Sequence, residues 1–228
     1  MTTIIYWIAA LLQALAVLVV PVVPQSTPAP LPACAYADLP AVHAGYDDWR
    51  ITLVDTTFAL PNDYMPPDLV SVGDQQVRAL VQPDLASLMS AAKLAGAPLR
   101  IVSGFRSYQN QGVTYKEWAA RASADGTDVR LSSALPGHSE HQLGTAIDFG
   151  AAGSDPWQWR DWAVTPQGAW LFENAWRFGF IETYPKGMSP SITCERYEPW
   201  HYRYVGLEEA TAMHAGGLTS REWLWRHQ

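Results

Sequence analysis

The sequence predicts an α+β fold. Helical and strand periodicities are mixed along the chain without a regular βαβ alternation, which argues against a doubly wound parallel sheet. The strand candidates are short and alternating, as in LRIVSG (99–104) and WHYRYV (200–205). The third observation is bulk: 228 residues with 48% hydrophobic content and 11 tryptophans suit one domain with a substantial core, plus an appendage.

The elements follow in order. Residues 35–65 read as a loop-rich lead-in with a strand candidate, WRITLVD (49–55). PDLASLMSAAKLAGAP (83–98) places apolar residues at 85, 88, 89, 92 and 95, a helical spacing stopped by Gly96 and Pro98. LRIVSG is β-branched and alternating, so it is a strand. SYQNQGVTYKEWAARA (107–122) is helical, and the polar, Gly- and Pro-containing stretch 122–138 is a long loop. GTAIDFG (144–150) is a short strand. Thr165-Pro166 is a helix start, a cap followed by proline at the first position, and that helix runs to Gly179. FIETY (180–184) and WHYRYV are strands, and LEEATAMHAGG (207–217) and SREWLWRH (220–227) are closing helices.

The N-terminus differs from the rest. It is apolar from Ile4 to Val23 except for Gln13, and no charged side chain precedes Asp38. About 20 apolar residues span a bilayer as a helix. Residues 1–24 therefore read as an export signal or an uncleaved membrane anchor, and 25–63 as a Pro-rich spacer and lead-in, leaving 64–228 as the functional domain. LPAC (31–34) lies too far past the apolar run for a lipoprotein cleavage box. Export places the chain in the cell envelope, anchored or secreted, where its two cysteines, Cys34 and Cys194, can form a disulfide. Net charge is -7 with no run of arginines, so nucleic acid is not an expected partner. A monomer is expected.

The chemistry concentrates in three segments. In SEHQLGTAIDFG (139–150), Ala146 and Asp148 share one face of a strand, and an acidic group among small apolar neighbours needs a partner when buried. A metal ion is one such partner. Zinc sites use three His, Asp, Glu or Cys ligands and an open position. His141 and Asp148 are two candidates, and His201 of EPWHYRYVG (198–206) is the third. Glu198, three residues before His201, is a candidate acid–base group. Each element alone is weak: single histidines on strands are usually structural, and aspartates ending strands usually accept turn hydrogen bonds.

Their joint order is specific. SEHQLGTAID fits the S-x-H-x-x-G-x-A-x-D pattern of the VanY-type zinc D-alanyl-D-alanine carboxypeptidases, whose group also holds the VanX dipeptidases and shares a fold with Hedgehog domains. EPWHYRYVG fits that family's E-x-x-H segment. SGFRSYQNQ (103–111) resembles its SGYRSYQ segment, with Phe105 for the usual tyrosine. The resemblance covers about residues 64–218 and continues through TPQGAWLFENAWRFGFIETYP. It implies a small, mostly antiparallel central sheet flanked by helices. It further implies zinc held by His141, Asp148 and His201, with Glu198 as general base and acid. Arg106 would hold the substrate's carbonyl or terminal carboxylate, a task suited to a planar, permanently charged guanidinium. Ser139 is expected to hydrogen-bond the substrate peptide, and Tyr108 and Gln109 to line the cleft. His138 is expected behind the ligands or in solvent. Gly144 is expected where close packing or an unusual backbone angle is needed.

The implied reaction is removal of the terminal D-alanine from peptidoglycan stem peptides. L,D-cleavage or endopeptidase action would use the same residues, with specificity in loops 122–138 and 185–197. A serine mechanism is disfavoured: SAAK (90–93) matches S-x-x-K, but no K-T-G or S-D-N segment accompanies it. HSEH (138–141) is one residue short of the zincin HExxH. A non-catalytic module binding wall peptides is the alternative of another class. The presence of Glu198 and Arg106 beside all three ligands weighs against it.

Overall fold

The computed structural model describes residues 29–41, 49–158 and 161–227. The expected signal or anchor at 1–24 lies outside them. Among the described residues no helix is long and apolar enough to cross a membrane.

Two short strands, β1 (Leu39–Pro40) and β2 (Phe58–Ala59), pair in parallel, and β3 (Leu69–Val72) and β4 (Gln75–Arg78) form a hairpin. Helix α1 (Gln82–Leu94) follows, with proline in its first turn and Leu85, Leu88 and Ala92 buried. Ser90 of SAAK is exposed on its outer side. Strand β5 (Arg100–Ser103) leads to helix α2 (Tyr108–Asp125), whose cap Ser107 accepts from the Asn110 amide at 3.2 Å. This helix extends further than the sequence suggests, because a left-handed glycine at 126 is the first residue able to cap it. Strand β6 (Ala146–Gly150) comes next, then helix α3 (Pro166–Asn174), started by the Thr165 side chain as expected. Strand β7 (Phe180–Glu182), a single-turn helix α4 (Pro190–Thr193), strand β8 (His201–Tyr204) and helices α5 (Leu207–Gly216) and α6 (Ser220–Arg226) complete the chain.

The main sheet has the order β5-β6-β8-β7, with every pair antiparallel. Strand alternation divides it into two faces. Ile147, Phe149, Tyr202 and Tyr204 pack into one core with Leu85 and Leu88 of α1 and Leu171 of α3. Burying each such side chain contributes roughly 1.5–3 kcal/mol. Asp148, His201 and Arg203 alternate with these and face the other way. A second core, including Leu53, Phe58, Val205, Met213 and Leu224, joins α5 and α6 to the lead-in.

Two expectations change. WRITLVD forms turns and one isolated bridge residue, not a strand. The carbonyls of Trp49, Arg50 and Thr52 accept from the Arg203 guanidinium at 3.0, 3.1 and 2.7 Å, so they serve a buried side chain instead of a ladder. The described part of the expected spacer and lead-in packs on the domain. Trp49, Leu53, Val54, Phe58 and Leu60 are buried. Carbonyls of Ala29, Pro32 and Ala33 accept from Trp225, Arg221 and Thr57. Cys34 and Cys194 form a disulfide with Cα atoms 5.1 Å apart.

Candidate metal centre and its cleft

The central strands bring the candidate ligands together. Asp148 of β6 lies opposite His201 of β8 on one side and Ser103 of β5 on the other. His141 sits on a 3-10 turn, Glu140–Leu143, which ends at Gly144 in the left-handed region (φ +74°). A Cβ there would come within 3.2–3.3 Å of Leu69, Arg78 and Pro66, so glycine meets both the backbone and the packing demand. One ligand atom from each of His141, Asp148 and His201 lies within 4.8 Å of the others, and all three residues are buried.

Hydrogen bonds orient the rings. Nδ1 of His141 donates to the Gly104 carbonyl at 2.8 Å, which leaves the Nε2 lone pair 3.3 Å from Oδ2 of Asp148. Burial, reinforced by Arg106, lowers the His141 pKa against the opposing pull of Asp148. Nε2 of His201 donates to Oε2 of Glu140 at 3.0 Å, and its Nδ1 lies 3.0 Å from Oδ1 of Asp148. Burial opposes charge on His201, but the hydrogen bonds to Asp148 and Glu140 raise it to about 10. Burial also opposes charge on Asp148; the two histidines override it and hold the carboxylate ionised. The arrangement therefore calls for positive charge between two imidazoles and a carboxylate. A divalent cation fits that donor set, with the outer nitrogens already committed to a carbonyl and a carboxylate.

Glu140 was not anticipated. Its carboxylate takes His201, Thr183 Oγ1 at 2.9 Å and Arg203 at 2.9 Å. Burial would raise its pKa, but Arg203 and His201 outweigh burial and bring it to about 2. Arg203 is fully buried, so Glu140 also neutralises a charge the core would otherwise leave exposed to low dielectric. The signal was present: Arg203 shares the His201 face of its strand, and a buried arginine requires an acidic partner.

A cavity of about 270 Å³ opens over the cluster and contains Ser139, Glu198 and Arg106 among its lining. Arg106 is held by Gln111 Oε1 at 2.9 Å and Ser103 Oγ at 3.1 Å, with Asp148 Oδ2 at 3.8 Å. Glu198 lies on the loop before β8, its amide donating to the Tyr184 carbonyl at 3.2 Å. Burial lifts its carboxyl to about 7, with His201 pulling the other way. Glu195, a second lining carboxyl missed in the sequence, is raised by burial and then by Glu198.

Tyr108 and Gln109 do not line this cavity; Gln111 does. Gln109 is exposed, about 200° around the helix from Gln111. Tyr108 lies near Gly137. His138 is buried, 3% exposed, between the Asp55 carbonyl and Asp38, away from the cluster.

Fold and site together define an α+β domain with a buried His-Asp-His cluster, a candidate cation centre, at the floor of a cleft. The chain belongs to the VanY D-alanyl-D-alanine carboxypeptidase family, whose sequence model matches residues 74–207. A D-alanyl-D-alanine carboxypeptidase of Enterococcus faecalis is 34% identical over 185 residues, covering 78% of this chain and 66% of the relative. The chain thus spans just under two thirds of that relative's length. The vancomycin resistance D,D-pentapeptidase VanY from a VanB-type cassette, solved in complex with Zn(II), superposes with TM-score 0.68 at 34% identity, over 77% of this chain and 99% of that one. The LD-carboxypeptidase LdcB gives TM-score 0.65 at 33% identity, over 77% and 86%.

Proposed function

We propose that the protein is a zinc carboxypeptidase of the cell envelope that removes the terminal D-alanine from peptidoglycan stem peptides. The observation that carries this is the convergence of His141, Asp148 and His201 beneath a cavity also lined by Glu198 and Arg106. Bound by those three residues, zinc supplies a Lewis acid that acidifies water and polarises a carbonyl. Glu198, lifted towards neutrality, takes a proton from the attacking water and delivers it to the leaving amine of D-alanine. Arg106, fixed by Gln111 and Ser103, faces the developing oxyanion or the terminal carboxylate. Ser139 orients the substrate peptide at the cavity wall.

Action outside the cytoplasm is supported by the apolar N-terminal segment and by the Cys34–Cys194 disulfide, which suits an oxidising compartment. An uncleaved segment would anchor the enzyme to the membrane. L,D-cleavage of a tetrapeptide is the second reading, favoured by the similarity to LdcB. The test incubates the purified full chain with pentapeptides ending in D-Ala-D-Ala and tetrapeptides ending in D-alanine, with and without chelator, and weighs the products. Loss of one D-alanine from the pentapeptide, abolished by chelator and restored by zinc, is expected. Turnover that survives complete zinc removal would sink the proposal.

A further inference from the structure

The outer half of the cleft has no part in the chemistry above, yet its lining is organised. Gln111, Thr114, Trp118 and Arg121 repeat at helical spacing, so one face of α2 lines the cavity from Arg106 outward. Three half-buried indoles line the cavity, Trp118 from this helix and Trp157 and Trp200 from segments outside it. Trp200, beside His201, meets Trp157 edge-on at 6.3 Å, and Trp157 meets Trp118 at 6.1 Å. This aromatic strip runs from the metal cluster to the lip. There the Arg121 guanidinium lies 4.9 Å over the Trp118 ring, and Glu117 stands beside it, four residues earlier on the same helix. Glu117 and Arg121 are both exposed, and among the described residues neither is ion-paired.

We propose that Glu117, Trp118 and Arg121, with Trp157, form the subsite for the third stem-peptide residue, and that it selects a side chain ending in both an ammonium and a carboxylate. The inference rests on the carboxypeptidase reading. Trp118 stands roughly 10 Å along the helix from Gln111, at about 1.5 Å per residue. An extended peptide advances about 3.3 Å per residue, so from a C-terminal residue anchored at Arg106 the third residue sits about 7 Å along the cleft, and its long side chain spans the remaining distance to Trp118 and Arg121. The indole faces suit a methylene stem. Arg121 offers a planar fork to a carboxylate, and Glu117 accepts from an ammonium. A side chain with ammonium alone meets the like charge of Arg121, and one with carboxylate alone meets Glu117.

The experiment compares three pentapeptides that end in D-Ala-D-Ala and carry meso-diaminopimelate, lysine or norleucine at the third position. The wild-type enzyme is expected to prefer the diaminopimelate peptide over the lysine peptide about tenfold in kcat/KM, the scale of one charge-assisted contact. Arg121→Gln should erase that preference, slowing the diaminopimelate peptide as its carboxylate loses its partner and quickening the lysine peptide as the like charge is removed. Glu117→Gln should slow both ammonium-bearing peptides relative to norleucine. Equal rates for all three in the wild type, or equal losses across all three in the variants, overturn the subsite. If no peptide is cleaved, the proposed reaction fails instead. The subsite is then read by calorimetric titration of the same peptides into zinc-loaded Glu198→Gln protein: the same order of affinity supports it, and no order overturns it.

Discussion

The floor of the cleft and the loop above it hold their functional groups by different means. On the floor, Asp148 and His201 face each other on paired central strands, and each ring is oriented by a buried acceptor. Glu198 has no such scaffold. Its loop follows Cys194, a non-glycine residue at φ +68°, and is fastened by the disulfide to Cys34, by the Arg196 amide to Leu131 and by the Glu198 amide to Tyr184. Two of the three candidate ligands are placed by a sheet, the candidate acid–base group by tethers. Binding a cation and turning over substrate should therefore be separable.

The largest separation should come from Glu198→Gln. Turnover should fall by about 10²–10⁴, the usual worth of a positioned general acid–base group, while zinc stoichiometry stays at that of the wild type. Metal analysis beside steady-state kinetics reads both, and a variant of near wild-type rate would place the base elsewhere. Glu140→Gln strikes the floor. Zinc affinity should weaken roughly 10–100-fold, as when a carboxylate behind a ligating histidine is lost. Stability should drop by about 3 kcal/mol because Arg203 stays buried without its counter-charge. Zinc competition with a chelating dye and urea unfolding measure the two effects. Unchanged zinc affinity would mean that Glu140 serves only Arg203.

A Cys34→Ser/Cys194→Ser double variant should act on the loop in preference to the floor. The bridge spans 160 residues in sequence, and losing such a bridge typically costs about 2–5 kcal/mol. Turnover is expected to fall while zinc affinity holds; a parallel loss of both would merge the two regions into one mechanical unit. The smallest effect belongs to the sheet edge away from the cleft. Burial raises Glu182 on β7 from the ordinary 4.5 to about 8. Its folded form holds the proton more tightly than its unfolded form, so its contribution to stability is greatest below pH 4.5 and is lost as pH rises towards 8. Glu182→Gln should flatten the pH dependence of thermal unfolding in that window without altering zinc binding. An unchanged profile would show that Glu182 does not titrate there.

Much of the floor was legible because it depends on local pattern. Alternation along GTAIDFG and WHYRYV put Asp148 and His201 on polar faces opposite apolar ones, and Gly144 marked the sharp turn between His141 and the strand. The loop was less legible. Nothing local to Glu195 signals a carboxyl lining the cleft, since residues that share the cavity with it, such as Arg106, Ser139 and Asp148, are distant in sequence. Gln111, and not the expected Gln109, lines the cleft for a related reason. A helix can be read from its periodicity, but which of its faces meets the cleft depends on how α2 packs against the segment at 129–134.

The sequence by itself determined the α+β class, the identities and order of the candidate ligands, the acid–base candidate and the cysteines available to pair. Those depend on residue chemistry and on periods of 2 and 3.6, which are written locally. Only the tertiary structure decided the rest. It turned WRITLVD from a strand into a set of carbonyls around Arg203, joined Glu140 to His201 across 61 residues, and assembled Trp118, Trp157 and Trp200 into one wall. Each of these needs groups far apart in sequence to share a buried or enclosed space, and the energy of such contacts exists only once the chain has closed around them.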